Sequence, residues 1–102
     1  MTKQAELVAI AARHRETTPA VQTLLGLLVE KKMIAEEHLS AVNGTAARFK
    51  QALALEDGHR VSHDASGLVT HAAQAAAAIS TMASLYTALA SVLQGLGEDI
   101  TY

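Results

Sequence analysis

Apolar residues recur along this chain in alternating steps of four and three, which is the spacing that lines one face of a helix. The pattern is clear over 18–55 and 65–97, and a weaker amphipathic pattern covers 1–16. We therefore predict a single helical domain over 1–102, of all-α class. Its main feature is a long antiparallel helical hairpin, coiled-coil-like, joined by a short N-terminal helix into a three-helix or oligomeric bundle.

The predicted first arm, 18–55, has a clear start. Pro19 suits the first helical position, where its missing N–H is not needed, and Thr18 can cap the helix. The arm could be kinked or broken near 32–35, where cations precede carboxylates, or near 43–44, because a mid-helix glycine costs about 1 kcal/mol relative to alanine.

Residues 56–64 are polar and contain a glycine, so this segment is predicted to be the loop between the arms. The second arm, 65–97, is then expected to be capped by Asp64 or Ser66. Its end is expected at Gly97, or two residues earlier.

One apolar stripe on each arm is predicted to form the hairpin seam. Both stripes fit a single antiparallel register, in which Phe49 lies opposite Ala72 and Leu53 lies opposite Leu68. Large residues then meet small ones, as interdigitated packing requires. The seam residues are Leu39, Val42, Phe49, Leu53, Leu68, Ile79, Met82, Tyr86, Leu89 and Leu93.

The chain has more apolar surface than a two-helix hairpin can bury. No Asp, Glu, Lys or Arg occurs between Ala65 and Gly97, whereas a solvent-exposed helix normally carries charges on its outer face. We therefore expect this arm to be covered by the N-terminal helix or by other chains. The side chains off the seam that are predicted to contact another chain are Leu24, Leu27, Ile34, Leu85 and Val92.

Composition and charge narrow the function classes. Half of the 102 residues are apolar, with one Phe and no Trp, which favours an aliphatic core of close-packed helices. The net charge of −2 gives no general attraction to nucleic acid. Without cysteine there is no thiolate site, the glycines are isolated, and no Gly-x-Ser-x-Gly turn occurs. We predict no enzymatic activity and no cofactor.

His59 and His63 are the candidate metal ligands. On a helix their spacing places two imidazoles on one face, with Glu56, Asp57 and Asp64 nearby. The simpler interpretation is a solvated loop with titrating histidines. A metal-binding helical bundle is therefore the first alternative function.

Two other histidines lie close to the predicted seam. His38 is expected to face solvent beside the seam, and His71 to be a polar neighbour of it. Neither is predicted to form a functional site.

A single-pass membrane-associated helical protein is the second alternative. The span 72–93 is uncharged and long enough to cross a bilayer, although its many alanines keep the hydropathy marginal. The N-terminal residues turn charged too soon for a signal peptide. We expect a cytoplasmic location or a place within a macromolecular assembly, with leaderless export left open.

In length and architecture the chain resembles the secreted helical hairpins that carry a Trp-x-Gly turn. The turn itself is missing, since the only mid-chain candidate is Val42-Asn43-Gly44. The acidic residue that the family has four positions after a tyrosine is missing too, since Ala90 follows Tyr86 there, so the resemblance stops at length and architecture. Similar alanine-rich hairpins are typical of phage structural proteins and secretion-machine subunits. The sequence thus predicts a protein–protein interaction or assembly subunit, either a homo-oligomer or part of such an assembly.

Overall fold

The computed structural model describes residues 1–102 and confirms the all-α class. Helices contain 81 % of the residues, and no strand is present. The three helices are α1 (Gln4–Ala12), α2 (Pro19–Ala54) and α3 (Gly58–Gly95).

The first two helices differ in how closely they follow the predicted bounds. Helix α1 is shorter than the predicted 1–16, because the amide of Arg13 turns back to the carbonyl of Ile10 and begins a turn. Helix α2 begins at Pro19 and continues unbroken through 32–35 and 43–44, the two positions where the sequence allowed a kink or break. Its 36 residues therefore form one element.

The chain divides into two compact units. We call Met1–Lys32 together with Ser80–Tyr102 the terminal unit, and Met33–Ile79 the central unit. The terminal unit thus contains α1, the start of α2 and the end of α3, whereas the central unit contains only the remaining parts of α2 and α3.

The terminal unit has a continuous aliphatic core. The side chains of Leu7, Val21, Leu89 and Leu93 are fully buried, which means that all three helices contribute to the core. Partly buried Met82 and other apolar side chains pack around it. At roughly 25 cal/mol per Å² of apolar area, each such leucine contributes about 1.5–3 kcal/mol.

Helix α3 ends at a Schellman motif in this unit. The amide of Gly97 donates to the carbonyl of Gln94, and the amide of Glu98 donates to the carbonyl of Leu93, both at 3.1 Å. Gly97 adopts φ +89°, a left-handed conformation that glycine takes without steric penalty. Helix α3 ends at Gly95, the earlier of the two predicted ends, and Gly97 follows it as the left-handed residue of the motif.

The segment after α3 is bonded to the start of the chain. Ile100 is buried in the core, and its carbonyl accepts a hydrogen bond from Nε2 of Gln94 at 2.9 Å. The amide of Thr2 donates to the carbonyl of Thr101 at 2.6 Å, and Oγ1 of Thr2 accepts from the amide of Thr101 at 3.1 Å. These bonds join the C-terminal segment to α3 and to the start of the chain.

Glu98 links this segment to the end of α1. Its carboxylate lies 2.7 Å from Nε2 of His14 and 3.4 Å from the guanidinium of Arg13. The hydrogen bond with His14, aided by the charge of Arg13, lowers the pKa of Glu98 despite some desolvation. The ionised carboxylate is therefore the form that this unit favours.

The central unit contains a tight turn between α2 and α3. The amide of Glu56 donates to the carbonyl of Leu53 at 3.2 Å, and the amide of Asp57 donates to the carbonyl of Ala52 at 3.1 Å. This is a second Schellman motif, but here Glu56 occupies the left-handed position with φ 54°. A residue with a Cβ is strained in that conformation.

The predicted loop over 56–64 is wrong, because α3 begins at Gly58. Oδ1 of Asp57 accepts a hydrogen bond from the amide of Arg60 at 3.2 Å and so caps the helix in place of the expected Asp64. The polar residues that follow Asp57 form the first turns of α3, where His59, Ser62 and His63 are exposed and Asp64 is buried. The run of polar residues that predicted a loop belongs instead to a helix whose outer face is in contact with water.

The shorter turn displaces the pairing of the two helices. In the predicted register His38 lies opposite Ala83, but in the structure it contacts His71. A Cβ on Gly67 would lie 3.6 Å from Cγ2 of Thr45, in agreement with the same displacement. The return helix is therefore shifted by about three turns. The predicted pairs Phe49–Ala72 and Leu53–Leu68 require the predicted register, which the structure does not adopt, so both pairs are wrong.

Candidate interaction surface

The residues predicted to contact another chain are mostly used within the fold. Leu24, Leu85 and Val92 pack against the core of the terminal unit. Ile34 is half-buried, and only Leu27 is exposed, at 37 %. The N-terminal helix therefore covers much of the apolar surface that a two-helix hairpin cannot bury. The exposed apolar side chains that could bind a partner lie elsewhere.

The predicted seam residues fall into three groups. Leu89 and Leu93 are fully buried, and Val42, Phe49, Leu68, Met82 and Tyr86 are half-buried. In contrast, Leu39, Leu53 and Ile79 are 46 %, 51 % and 49 % exposed. All three exposed residues belong to the central unit.

Leu39 and Leu53 are exposed because the side of α2 that contacts α3 is rotated by about one residue relative to the predicted seam. We call the residues on that side the contact stripe. In the central unit, the position before each of them lies on the contact side: His38 before Leu39, and Ala52 before Leu53. In the central part of α2, the contact positions at steps of three and four are Ala35, His38, Val42, Thr45, Phe49 and Ala52, and Ile34 and Ala41 beside them are also half-buried. The sequence thus carries two neighbouring apolar stripes, and the helices pair along the smaller and more polar one.

Leu39, Leu53 and Ile79 belong to what we call the apolar flank of the central unit. It consists of every seventh residue beside the contact stripe on both helices, namely Leu39, Ala46, Leu53, Ala65, Ala72 and Ile79. In an antiparallel helix pair, such positions fall on the same side of the contact. None of the six is charged, and only Ala65 is not exposed. The two helices therefore present one uncharged, mainly apolar surface.

The other side of this helix pair is more polar. The equivalent positions there are Ile34, Ala41, Arg48, Arg60, Gly67 and Gln74, and three of these six carry polar side chains. The guanidinium of Arg48 donates to the hydroxyl of Thr45 at 3.0 Å. Water can solvate these groups, whereas the apolar flank gains from being covered. The difference identifies the apolar flank as the candidate interaction surface.

The terminal unit contains a groove of about 350 Å³. Its apolar lining comes from all three helices, with Val8, Leu25, Met82 and Tyr86 as main residues, and Arg15 is also at the groove. This volume is at the low end of the range for small-molecule sites. The polar groups of the lining are those of Arg15 and Lys32 and the hydroxyl of Tyr86.

Helix α3 is also apolar along much of its length. An 18-residue window within Gly58–Gly95 has a mean hydropathy of 1.5, and 22 % of this window is buried. By length and composition, a helix of this kind can cross a membrane.

The predicted metal ligands remain apart from other donors. His59 and His63 are exposed and lie one turn apart on α3. No group of three or more His, Cys, Asp or Glu side chains is placed to hold a metal ion. Asp57 serves as the helix cap, and Asp64 is buried.

A different pair of histidines comes together in the central unit. Nδ1 of His38 on α2 lies 3.2 Å from Nδ1 of His71 on α3, and both rings are half-buried. The ring centroids are 5.4 Å apart, with 34° between the planes. Sequence reasoning missed this pair because the predicted register separated the two residues. A turn at Asp57 would have placed both on the contact stripe.

The chain matches no protein-family model, no curated protein and no solved structure. Its function is therefore inferred from its own residues and surfaces.

Proposed function

We propose that this protein is a non-enzymatic helical assembly subunit in which α2 and α3 act as an antiparallel hairpin. The apolar flank of the central unit is its binding surface, and a second copy of the chain is its first partner. The observation that carries the proposal is the exposure of Leu39, Leu53 and Ile79, each about half accessible on one uncharged flank.

The width of the apolar stripe supports a bundle of more than two helices. A two-stranded coiled coil needs two apolar positions in seven, whereas the helices of a bundle use three. The central unit has the contact stripe and, beside it, the apolar flank, but only two helices. Two further helices would cover the flank and complete a four-helix bundle.

The chemistry of the flank suits a second copy. A two-fold interface uses the same patch on both partners, which must therefore be complementary to itself. On α2 Ala46 lies between Leu39 and Leu53, and α3 contributes Ala65 and Ala72 before Ile79, so the large side chains of one copy can enter the gaps over the alanines of the other. An uncharged patch also meets itself without the repulsion that a patch of one charge sign would produce.

Light scattering coupled to size exclusion, across a range of concentrations, tests the proposal. We expect a dimer that dissociates when Leu53→Glu places a charge in the flank. Leu55→Glu is the matched control, because Leu55 is 63 % exposed but lies outside the flank. A monomer at all concentrations would contradict self-association, and so would equal effects of the two variants.

Membrane association is the second candidate, favoured by the apolar window in α3. Flotation with lipid vesicles separates the two functions. Co-flotation of the wild-type chain, reduced by Ile79→Glu, would support a lipid surface as the occupant of the flank. A protein that stays dimeric and does not float supports assembly.

A further inference from the structure

His38 and His71 form a cross-helix pair that neither the assembly function nor the predicted metal ligands use. The two Nδ1 atoms, 3.2 Å apart, are held by two different helices within the central unit. In neutral imidazoles, one Nδ1 must donate and the other must accept for this contact to be a hydrogen bond. The contact therefore leaves two nitrogen atoms close together with only one proton between them.

The same separation suits two ligands of one metal ion. Imidazole nitrogens bind zinc at about 2.0–2.1 Å, so two nitrogens 3.2 Å apart subtend an angle of about 100° at a shared ion. That angle lies between the tetrahedral value and the right angle of a square-planar site.

From this geometry we propose that His38 and His71 form a binding site for a borderline divalent transition-metal ion such as Zn²⁺, Ni²⁺ or Cu²⁺. Imidazole prefers these ions, whereas Mg²⁺ and Ca²⁺ prefer oxygen ligands. Water fills the remaining coordination positions, because no third His, Cys, Asp or Glu side chain joins the pair. The site is thus open, and its affinity is lower than that of a four-ligand structural zinc site.

Small side chains lie one turn from each ring. Ala35 and Ala75, one turn away on the two helices, are 5 % and 2 % exposed and leave room beside the rings. Helix α3 has no Asp, Glu, Lys or Arg from residue 65 to its end, and the nearest charged residues on α2, Glu36 and Glu37, are exposed.

Binding requires no net loss of protons. The ring that donates in the free protein carries its proton on Nδ1, and on binding this proton moves to Nε2 by exchange with water. Both Nδ1 lone pairs are then available to the metal. Because the ligands come from α2 and α3, the bound ion links the two helices of the central unit.

Thermal unfolding of the full chain, freed of metal with EDTA and then titrated with Zn²⁺ or Ni²⁺, measures the effect. We expect a rise in Tm of at least about 5 °C when the metal is about 100-fold above its dissociation constant. Mg²⁺ is expected to give no shift, and an equal shift with Mg²⁺ would overturn the proposal. No shift with any transition metal would do the same.

Calorimetric titrations of variants locate the site. His38→Gln and His71→Gln should each weaken zinc binding more than 10-fold, while His63→Gln, which removes one member of the exposed pair, should leave it within about twofold. Loss of binding in His63→Gln alone would assign the metal to His59 and His63 and overturn the proposal.

Nitrogen NMR of the imidazole rings gives a readout that does not depend on stability. Zinc should convert both His38 and His71 to rings with a metal-bound Nδ1 and a protonated Nε2. Unchanged spectra of these two rings, in a chain shown by circular dichroism to be folded, would overturn the proposal. The oligomeric state measured in EDTA is a separate result, so assembly and metal binding succeed or fail independently.

Discussion

The terminal and central units use the same two long helices, but they bury very different side chains. All the large side chains that are fully buried, Leu7, Val21, Leu89 and Leu93, belong to the terminal unit. The buried residues of the central unit are small or polar, namely Ala35, Thr45, Ala52, Asp64, Ala75 and Ala78. The terminal unit has α1 as a third helix against its core, and the central unit has no third helix.

This difference shows that helix formation and core formation are separate problems in this chain. Both units are almost entirely helical, yet only one has a compact aliphatic core of its own. A two-helix pair buries one stripe per helix and leaves the rest in water. The central unit is therefore the part that gains most from a partner or a bound ion, and it is expected to be the less stable unit.

The largest expected effect tests this difference with two leucines. Leu93→Ala should destabilise the terminal unit by about 2–5 kcal/mol, because it removes a fully buried side chain and leaves a cavity. Leu53→Ala should cost less than about 1 kcal/mol in the monomer, since this side chain is half exposed. Urea unfolding followed by circular dichroism gives both values.

Amide hydrogen exchange shows in which unit each loss occurs. Leu93→Ala should speed exchange in the terminal unit first. Equal costs for the two leucines in the monomer would mean that the central unit is as well packed as the terminal unit, contrary to our comparison.

The second test uses the two Schellman motifs. Gly97→Ala should cost about 1–2 kcal/mol, because an alanine at φ +89° is strained even though no atom lies near its Cβ. Glu56→Gly should stabilise the protein by about 0.5–1 kcal/mol, because it relieves the strain at φ 54° at some cost in unfolded-state entropy. Destabilisation by Glu56→Gly would show that the glutamate side chain has a role that outweighs the strain.

The third test concerns the helix caps of the two units. Asp57 caps α3 in the central unit, whereas Lys3 at the start of α1 makes no side-chain capping bond. Asp57→Ala should therefore cost about 1 kcal/mol, and Lys3→Asp should add a few tenths of a kcal/mol. Asp57→Asn is the control, because asparagine caps nearly as well. Unfolding midpoints rank the three variants.

The smallest effect concerns pH and the terminal unit. The pKa of Glu98 is lowered in the folded state, mainly by its hydrogen bond with His14. Its contribution to stability is therefore present above the pKa of the unfolded chain and is lost as the pH falls through the lower folded pKa. Glu98→Gln should remove this part of the acid sensitivity. Melts from pH 6 to pH 3 compare the variant with the wild type, and parallel curves would contradict the role of the ion pair.

The sequence was sufficient for the helical class but not for the pairing of the helices. Two stripes on α2 share the positions of Val42 and Phe49. One of them also contains Leu39 and Leu53, and the other contains His38 and Ala52. Spacing alone could therefore not decide which stripe contacts α3. The choice depends on the turn, and the polar start of α3 resembled a loop. A misplaced turn then displaced every pair.

Three of the residues predicted to contact another chain pack instead within this chain, and the sequence could not show this for a different reason. Leu24, Leu85 and Val92 lie off the predicted seam, as they would on an outward face. Periodicity within one helix does not say whether α1 or another chain covers that face. The apolar flank was missed for the opposite reason, because its large residues Leu39, Leu53 and Ile79 are predicted seam residues.

The order of the units along the chain has a consequence for folding kinetics. The central unit is one continuous segment, whereas the two parts of the terminal unit are separated by all 47 residues of Met33–Ile79. Closing a loop of that length costs conformational entropy, and an early turn at Glu56 shortens the loop that remains to be closed. We therefore expect Glu56→Gly to speed folding and Leu93→Ala mainly to speed unfolding, which a chevron analysis of the two variants measures directly. In that case the turn of the central unit forms before the core of the terminal unit, although the central unit has the weaker core.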